Sequence, residues 1–241
     1  MMKLNKRDCG IEMSIKSYAG WTDVDLEIQG DKLSFVISNV FSSFEDLMHL
    51  LWSMYPKSHA DHPRLECKYA VQDLETCKTI KIVDDCKEAD GCVIDVPWKG
   101  DVTWDAEGSE TTWTFERDPT EKLEFDLKIE IDMSEGGVLG NVATAIDQPS
   151  EPWHENHSYV VPYKDFCYAV AKAYTNLLKR YGFIGYRECT NSVDIAVRYL
   201  LCLKEVALDC PDEFLALRCD NNTYECFSSF GQEIELLLFD M

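Results

Sequence analysis

Basic residues are scarce in this chain of 241: 23 Lys and Arg stand against 44 Asp and Glu, a formal net charge of −21. Binding DNA, RNA or an anionic membrane requires clustered cations that release counterions from phosphates, so no direct contact of that kind is expected. Long hydrophobic runs are missing too. A stretch such as Leu236-Leu237-Leu238-Phe239 falls far short of the roughly 20 apolar residues that cross a bilayer. Met1 to Cys9 carries Lys3, Lys6 and Arg7 with no apolar segment behind them, so it is not expected to be a signal peptide. Catalytic signatures are equally thin. The chain has no G-x-S-x-G elbow, no S-x-x-K, no HExxH, no G-x-G-x-x-G and no phosphate loop ending in GKS or GKT. No residue set dictates a reaction.

Cysteine is plentiful but unpaired in pattern. The 11 cysteines include no C-x-x-C and form an odd set, which fits neither a closed disulfide framework nor a zinc knuckle. Reduced thiols in a cytoplasm are the expectation, with Cys167 and Cys202 acting as small hydrophobes inside apolar helical patterns. In that setting the triplets Asn156-His157-Ser158 and Asn221-Asn222-Thr223 carry no weight as glycosylation sites.

What is present is enough to fold. Hydrophobic residues make up 46% of the chain and aromatics 12%, the composition of a packed protein. Thr22 to Ile28 alternates polar and apolar residues, Gly30-Asp31 follows, and Lys32 to Ile37 resumes the alternation: a β-hairpin. Ser42 and Glu45 form a capping box ahead of Phe44, Leu47, Met48, Leu51 and Trp52, which predicts a helix ending near Tyr55-Pro56. From Arg64 to Asp132 strand patterns dominate, at Leu65–Tyr69, Thr79–Val83, Cys92–Val96, Thr111–Phe115 and Leu123–Ile131. The last puts Leu123, Phe125, Leu127, Ile129 and Ile131 on one face and charges on the other, as in an antiparallel sheet with one wet side. Gly136-Gly137, Gly140 and then Gln148 to Pro152 mark the change to a helical period. Helices are expected over Tyr163–Tyr181 with Gly182 as its cap, over Ser192–Asp209 before Pro211, and over Ser229–Asp240 with Phe230, Ile234, Leu237 and Leu238 inward. The reading is α+β: a mostly antiparallel sheet in the N-terminal two-thirds packed by C-terminal helices. Residues 1–147 form the β-rich acidic part and 148–241 the helical part of one compact unit.

The charge is uneven. Residues 84–135 hold 5 bases and 17 acids, 5 − 17 = −12, against 8 − 12 = −4 over residues 160–241. Around a turn at Gly108, Asp101, Asp105, Glu107, Glu110, Glu116 and Asp118 interleave with Trp104 and Trp113. Acids ringing an aromatic anchor would steer a basic protein partner and give it apolar area to bury. The alternative is a solvated face with both tryptophans in the core, the default for a one-sided sheet.

Two histidine groups suggest a second kind of chemistry. His59, Asp61 and His62, and likewise His154, Glu155 and His157, each place two imidazoles three residues apart with a carboxylate beside them, and loops there would let them ligate a hydrolytic metal. Exposed loop histidines are the simpler account, and no cofactor is called for. Lys179-Arg180 at a helix end complements the helix dipole.

The run Tyr159-Val160-Val161-Pro162-Tyr163-Lys164-Asp165, continued by Tyr181-Gly182-Phe183-Ile184-Gly185-Tyr186, together with the mid-chain turn Glu107 to Trp113, resembles acidic bacterial proteins of the polymorphic-toxin immunity type. The resemblance implies a cytoplasmic, non-catalytic inhibitor that binds a basic toxin domain. A DNA-mimic inhibitor, its carboxylates standing in for phosphates in a nuclease cleft, and a metal-dependent hydrolase using the loop histidines are the alternatives.

Overall fold

A computed structural model describes residues 7–18, 20–38, 43–55, 69–72, 79–83, 98–106, 109–118, 122–135, 153–190, 196–210, 218–220, 225–227 and 229–241. The strands expected at 92–96 and over most of 65–69, the capping Ser42, and the glycine and proline punctuation at 136–152 lie outside these residues.

The first layer is a three-stranded antiparallel meander, β1 (Ile11–Tyr18), β2 (Trp21–Ile28) and β3 (Asp31–Ser38). Ile28 pairs with Asp31, leaving Gln29 (φ 51°) and Gly30 (φ 93°) as a two-residue hairpin turn with both central residues in the left-handed region. Strand β1 extends the expected hairpin: Ile11, Met13 and Ile15 are buried while Glu12, Ser14 and Lys16 face out. Helix α1 (Ser43–Ser53) follows, burying Phe44, Leu47, Met48 and Leu51. Two short ribbons are separate from the main sheets: β4 (Tyr69–Gln72) pairs with β5 (Thr79–Val83), and β10 (Arg218–Asp220) with β11 (Glu225–Phe227). The second layer is a four-stranded antiparallel sheet in sequential order, β6 (Lys99–Asp105), β7 (Ser109–Arg117), β8 (Asp126–Glu135) and β9 (His154–Pro162). The α+β reading therefore holds, strands lying mostly in the N-terminal two-thirds and helices mostly C-terminal.

Helix α2 (Tyr163–Thr190) starts where β9 stops and breaks at Gly182 (φ 66°, ψ 170°), a conformation that a side chain would strain. Its first part is buried on nearly every side, with Phe166, Val170, Ala171, Ala173, Tyr174 and Leu177 all enclosed, as a helix in the middle of a core must be. Helix α3 (Val197–Ala207) packs beside it, and α4 (Phe230–Leu238) packs on α3. On α4 the expected inward face holds in part: Ile234 and Leu237 are half-buried, but Phe230 and Leu238 are 75% and 70% exposed, and Leu236 is the fully buried residue. Among the described elements its main packing is on α3.

Aromatic rings join the layers. Phe35 of β3 lies 5.2 Å from Trp113 and 6.1 Å from Trp104, the two tryptophans are 4.8 Å apart, and Phe166 of α2 reaches Trp113 at 6.3 Å and Phe115 at 5.7 Å. Buried residues from Ile11 to Met241 form a single cluster. Alongside it, Gly100 lets β6 meet α1 closely, since a Cβ there would stand 2.4 Å from Leu50 Cδ1.

Charge closes the periphery. Arg7 donates to Asp165 (3.1 Å), Asp209 (2.5 Å) and the Ala207 carbonyl (3.1 Å), while Lys164 bridges Glu124 (2.5 Å) and Asp209. These contacts tie the N-terminal segment to the start of α2 and the end of α3. Lys204 is fully buried and donates to the carbonyls of Leu236, Leu237 and Phe239 at 3.1, 3.0 and 3.0 Å, so the three protons of one ammonium cap the end of α4. Burial lowers its pKa to about 8. Lys204→Met strands three helix-end carbonyls and should cost about 1–3 kcal/mol in chemical denaturation, with Met241 and α4 loosening first.

Burial pushes the thiols of Cys167, Cys202 and Cys210 up to about 12. Their folded pKa values exceed the ordinary 9.0, so their contribution is complete below pH 9 and is lost as pH rises toward about 12. Lys204 acts in the opposite sense between about 8 and 10.5, one group against three. Under reducing conditions the urea midpoint is expected to fall from pH 9 to pH 11, less steeply in Cys167→Ala.

Candidate functional site

The outer face of the four-stranded sheet is the strongest candidate, because strand register alone sets its chemistry. Alternation turns Val102, Trp104, Trp113, Phe115, Leu127, Ile129 and Ile131 inward, so their neighbours must point out. Across the four strands this produces rows: Lys99, Glu116, Lys128 and Val160; Asp101, Thr114, Glu130 and Ser158; Thr103, Thr112, Asp132 and Asn156; Asp105, Glu110, Ser134 and His154. Neighbours in a row are separated by about 4.8 Å and rows by about 7 Å.

Six carboxylates and two lysines share this plane, 2 − 6 = −4. Lys128 bonds Glu130 at 2.8 Å, which holds the Glu130 carboxyl below its ordinary range and the Lys128 ammonium above its own. His154 Nε2 lies 2.7 Å from Asp132 Oδ1. Thr103 and Thr112 share a hydrogen bond at 3.1 Å in the centre of the face. Asp105 and Glu110 sit directly opposite each other, an arrangement that costs the sheet stability rather than adding to it.

The residues expected to form the acidic-aromatic surface separate into two groups. Asp101, Asp105 and Glu110 are exposed, Glu116 is half-buried on the same face, and Asp118 is exposed just past the end of β7. Glu107 lies outside the described residues. Trp104 and Trp113 are corrected: at 1% and 0% exposure they are core, not a surface anchor. Their even spacing from Val102 and Phe115 puts them on the packed side of a two-faced strand. Glu130 and Asp132 join the face although the turn motif does not contain them; the alternation along β8 was the signal that could have added them.

The histidine reading also changes. His154, Glu155 and His157 lie in strand β9, not in a loop. An offset of three residues along a strand points side chains to opposite faces, so His154 joins Asp132 outside while His157 lies with Glu155 at 2.9 Å on the other side. These two imidazoles do not converge on one ion, and among the described residues no group of three or more His, Cys, Asp or Glu is placed to hold a metal. His59, Asp61 and His62 lie outside the described residues. Among the described residues, no helix is long and apolar enough to cross a membrane.

Comparisons with protein-family models, curated proteins and solved structures find no match to this chain. The face is therefore interpreted from its own chemistry.

The split between core tryptophans and surface acids predicts a split in stability. Trp104→Ala and Trp113→Ala should each cost about 3–5 kcal/mol. Asp101→Ala and Glu110→Ala should stay within about 0.5 kcal/mol of the parent, with relief of the Asp105–Glu110 opposition favouring the latter. Thermal and urea unfolding followed by tryptophan fluorescence checks both.

Proposed function

We propose that this protein is a non-catalytic binding protein that neutralises a basic protein domain, as an immunity-type inhibitor does, through the outer face of the four-stranded sheet. The observation that carries the reading is the row-by-row grouping of Asp101, Asp105, Glu110, Glu116, Glu130 and Asp132 on one plane, two of them in direct opposition. Folding does not require that grouping. A cationic partner placed over it would relieve the repulsion and meet carboxylates already held in position by a rigid sheet.

Charge on this scale acts first on encounter. A chain of −21 accelerates association with a basic domain and rejects acidic competitors, with the effect falling as salt screens it. Threonine and serine hydroxyls between the carboxylates supply directional hydrogen bonds, and Val160, 56% exposed at one corner, adds apolar area. The cytoplasmic setting and the toxin nature of the partner belong to the same proposal.

The test is a charge reversal on an identified partner. With the partner captured from the native host and purified, Asp101→Lys, Glu110→Lys and Glu116→Lys combined should weaken binding at least about tenfold at low salt, and by much less at high salt. Calorimetry at two ionic strengths measures this. Unchanged affinity of the triple variant would reject the face, and a partner without a basic surface would reject the reading as a whole.

A further inference from the structure

Strand β9 is an edge of the four-stranded sheet, paired with β8 on one side only. Which of its backbone groups face β8 follows from one bond. Tyr163 N–H donates to the Phe125 carbonyl at 3.0 Å, and continuing the register from there makes Val161, Tyr159, His157 and Glu155 the residues that exchange hydrogen bonds with β8. The N–H and C=O groups of Val160, Ser158, Asn156 and His154 therefore point away from the sheet. Gln29 agrees with that parity: its side-chain amide donates to the Val160 carbonyl at 2.6 Å and closes that end of the edge. From His154 to Ser158 the outward backbone groups have no partner among the described residues, and His154, Glu155, Asn156 and Ser158 are exposed.

An edge strand is a template for pairing unless a bulge, a proline or an outward lysine blunts it. Between His154 and Ser158 there is no proline or lysine, and the register with β8 runs without a shift. The strand also differs from the rest of the sheet in charge. On the outer face β6 presents Asp101 and Asp105, β7 presents Glu110 and Glu116, and β8 presents Glu130 and Asp132, whereas β9 presents only His154, Asn156, Ser158 and Val160. The carboxylates stop one strand short of the open edge. A cationic strand arriving there finds no acid on the outer side of its immediate neighbour, while a second copy of this acidic chain meets no directly opposed carboxylates.

Pairing of β9 with itself about a two-fold axis has one register that uses the whole open stretch. The outward-facing residues exchange the hydrogen bonds, and the axis passes between the two Asn156 residues. This sets His154 against Ser158 of the second copy and, twice over, Glu155 against His157. Within the chain His157 Nε2 is buried and makes no hydrogen bond, although Glu155 Oε1 lies 2.9 Å away. The two-fold register gives that imidazole a carboxylate directly across the strands, a favourable cross-strand pair. We infer that the β9 edge from His154 to Ser158 is a self-association surface, through which two copies join their four-stranded sheets into one continuous antiparallel sheet about an axis at Asn156. Paired residues share a face, so both acidic faces lie on the same side of the joined sheet and stay open. The inference stands apart from the proposed function, since it uses the edge of the sheet and not the acidic face.

Sedimentation velocity on the full chain from about 5 to about 300 µM, in about 0.5 M NaCl to screen the charge of each copy, tests it. The expected result is a monomer–dimer equilibrium. Asn156→Pro removes an N–H that faces away from β8 and leaves the β8–β9 bonds in place, so it should raise the dimer dissociation constant roughly tenfold or more with unchanged circular dichroism. Glu155→Lys, which sets an ammonium against His157 of the second copy and leaves the backbone alone, should weaken the dimer in the same direction and decides the matter if the proline variant does not fold. Thr103→Pro, the same kind of change at an outward-facing N–H of the opposite edge strand β6, should leave the equilibrium unchanged. A chain that stays monomeric at the highest concentration overturns the inference. So does a dimer that survives a folded Asn156→Pro or Glu155→Lys, or one that is broken by Thr103→Pro.

Discussion

The structure depends on one aromatic junction. Phe35 from the first sheet meets Trp104 and Trp113 of the second at 6.1 and 5.2 Å, and Phe166 from α2 reaches Trp113 at 6.3 Å, so neither sheet nor the central helix has a completed apolar face without the other two. A three-stranded meander alone is marginal, and an isolated four-stranded sheet leaves one face wet that should be dry. The junction resolves both at once. It also makes the opposite faces of both sheets the outside of the molecule, and the candidate surfaces follow from that division.

From this division comes a separation of roles. Inward positions are chosen for volume, and the two tryptophans fill the space that two twisted sheets leave around a helix. Outward positions are free of packing demands, and there the chain places acids, including the opposed Asp105 and Glu110.

The periphery is held by polar groups that the apolar core does not reach. Arg7, Lys164, Asp165 and Asp209 connect segments distant in sequence, and Lys204 completes the end of α4 from inside. A buried ammonium is costly unless every proton is used, and here all three are. The short α4 is attached through Leu236 and, beyond its end, Met241 in the core, through that one side chain and through the Lys179–Asp240 pair.

Alternation was enough to place β2, β3, β7 and most of β8, because a strand with one wet face writes its burial pattern directly into residues such as Leu127, Ile129 and Ile131. It was enough as well for the start of α2 and its break at Gly182, since helical period and glycine are local signals. The acidic excess and its concentration between residues 84 and 135 were legible by counting. What residue order could not show is which neighbours share a face across strands. His154 and His157 read as partners until pairing with β8 placed them on opposite sides, and Trp104 and Trp113 read as an anchor until the second sheet and α2 enclosed them. On α4, Phe230 and Leu238 turned outward while Leu236 turned in, which the helical period by itself did not fix. Local pattern determines which side chains alternate; only the packing of one layer on another decides which of the two sides meets water.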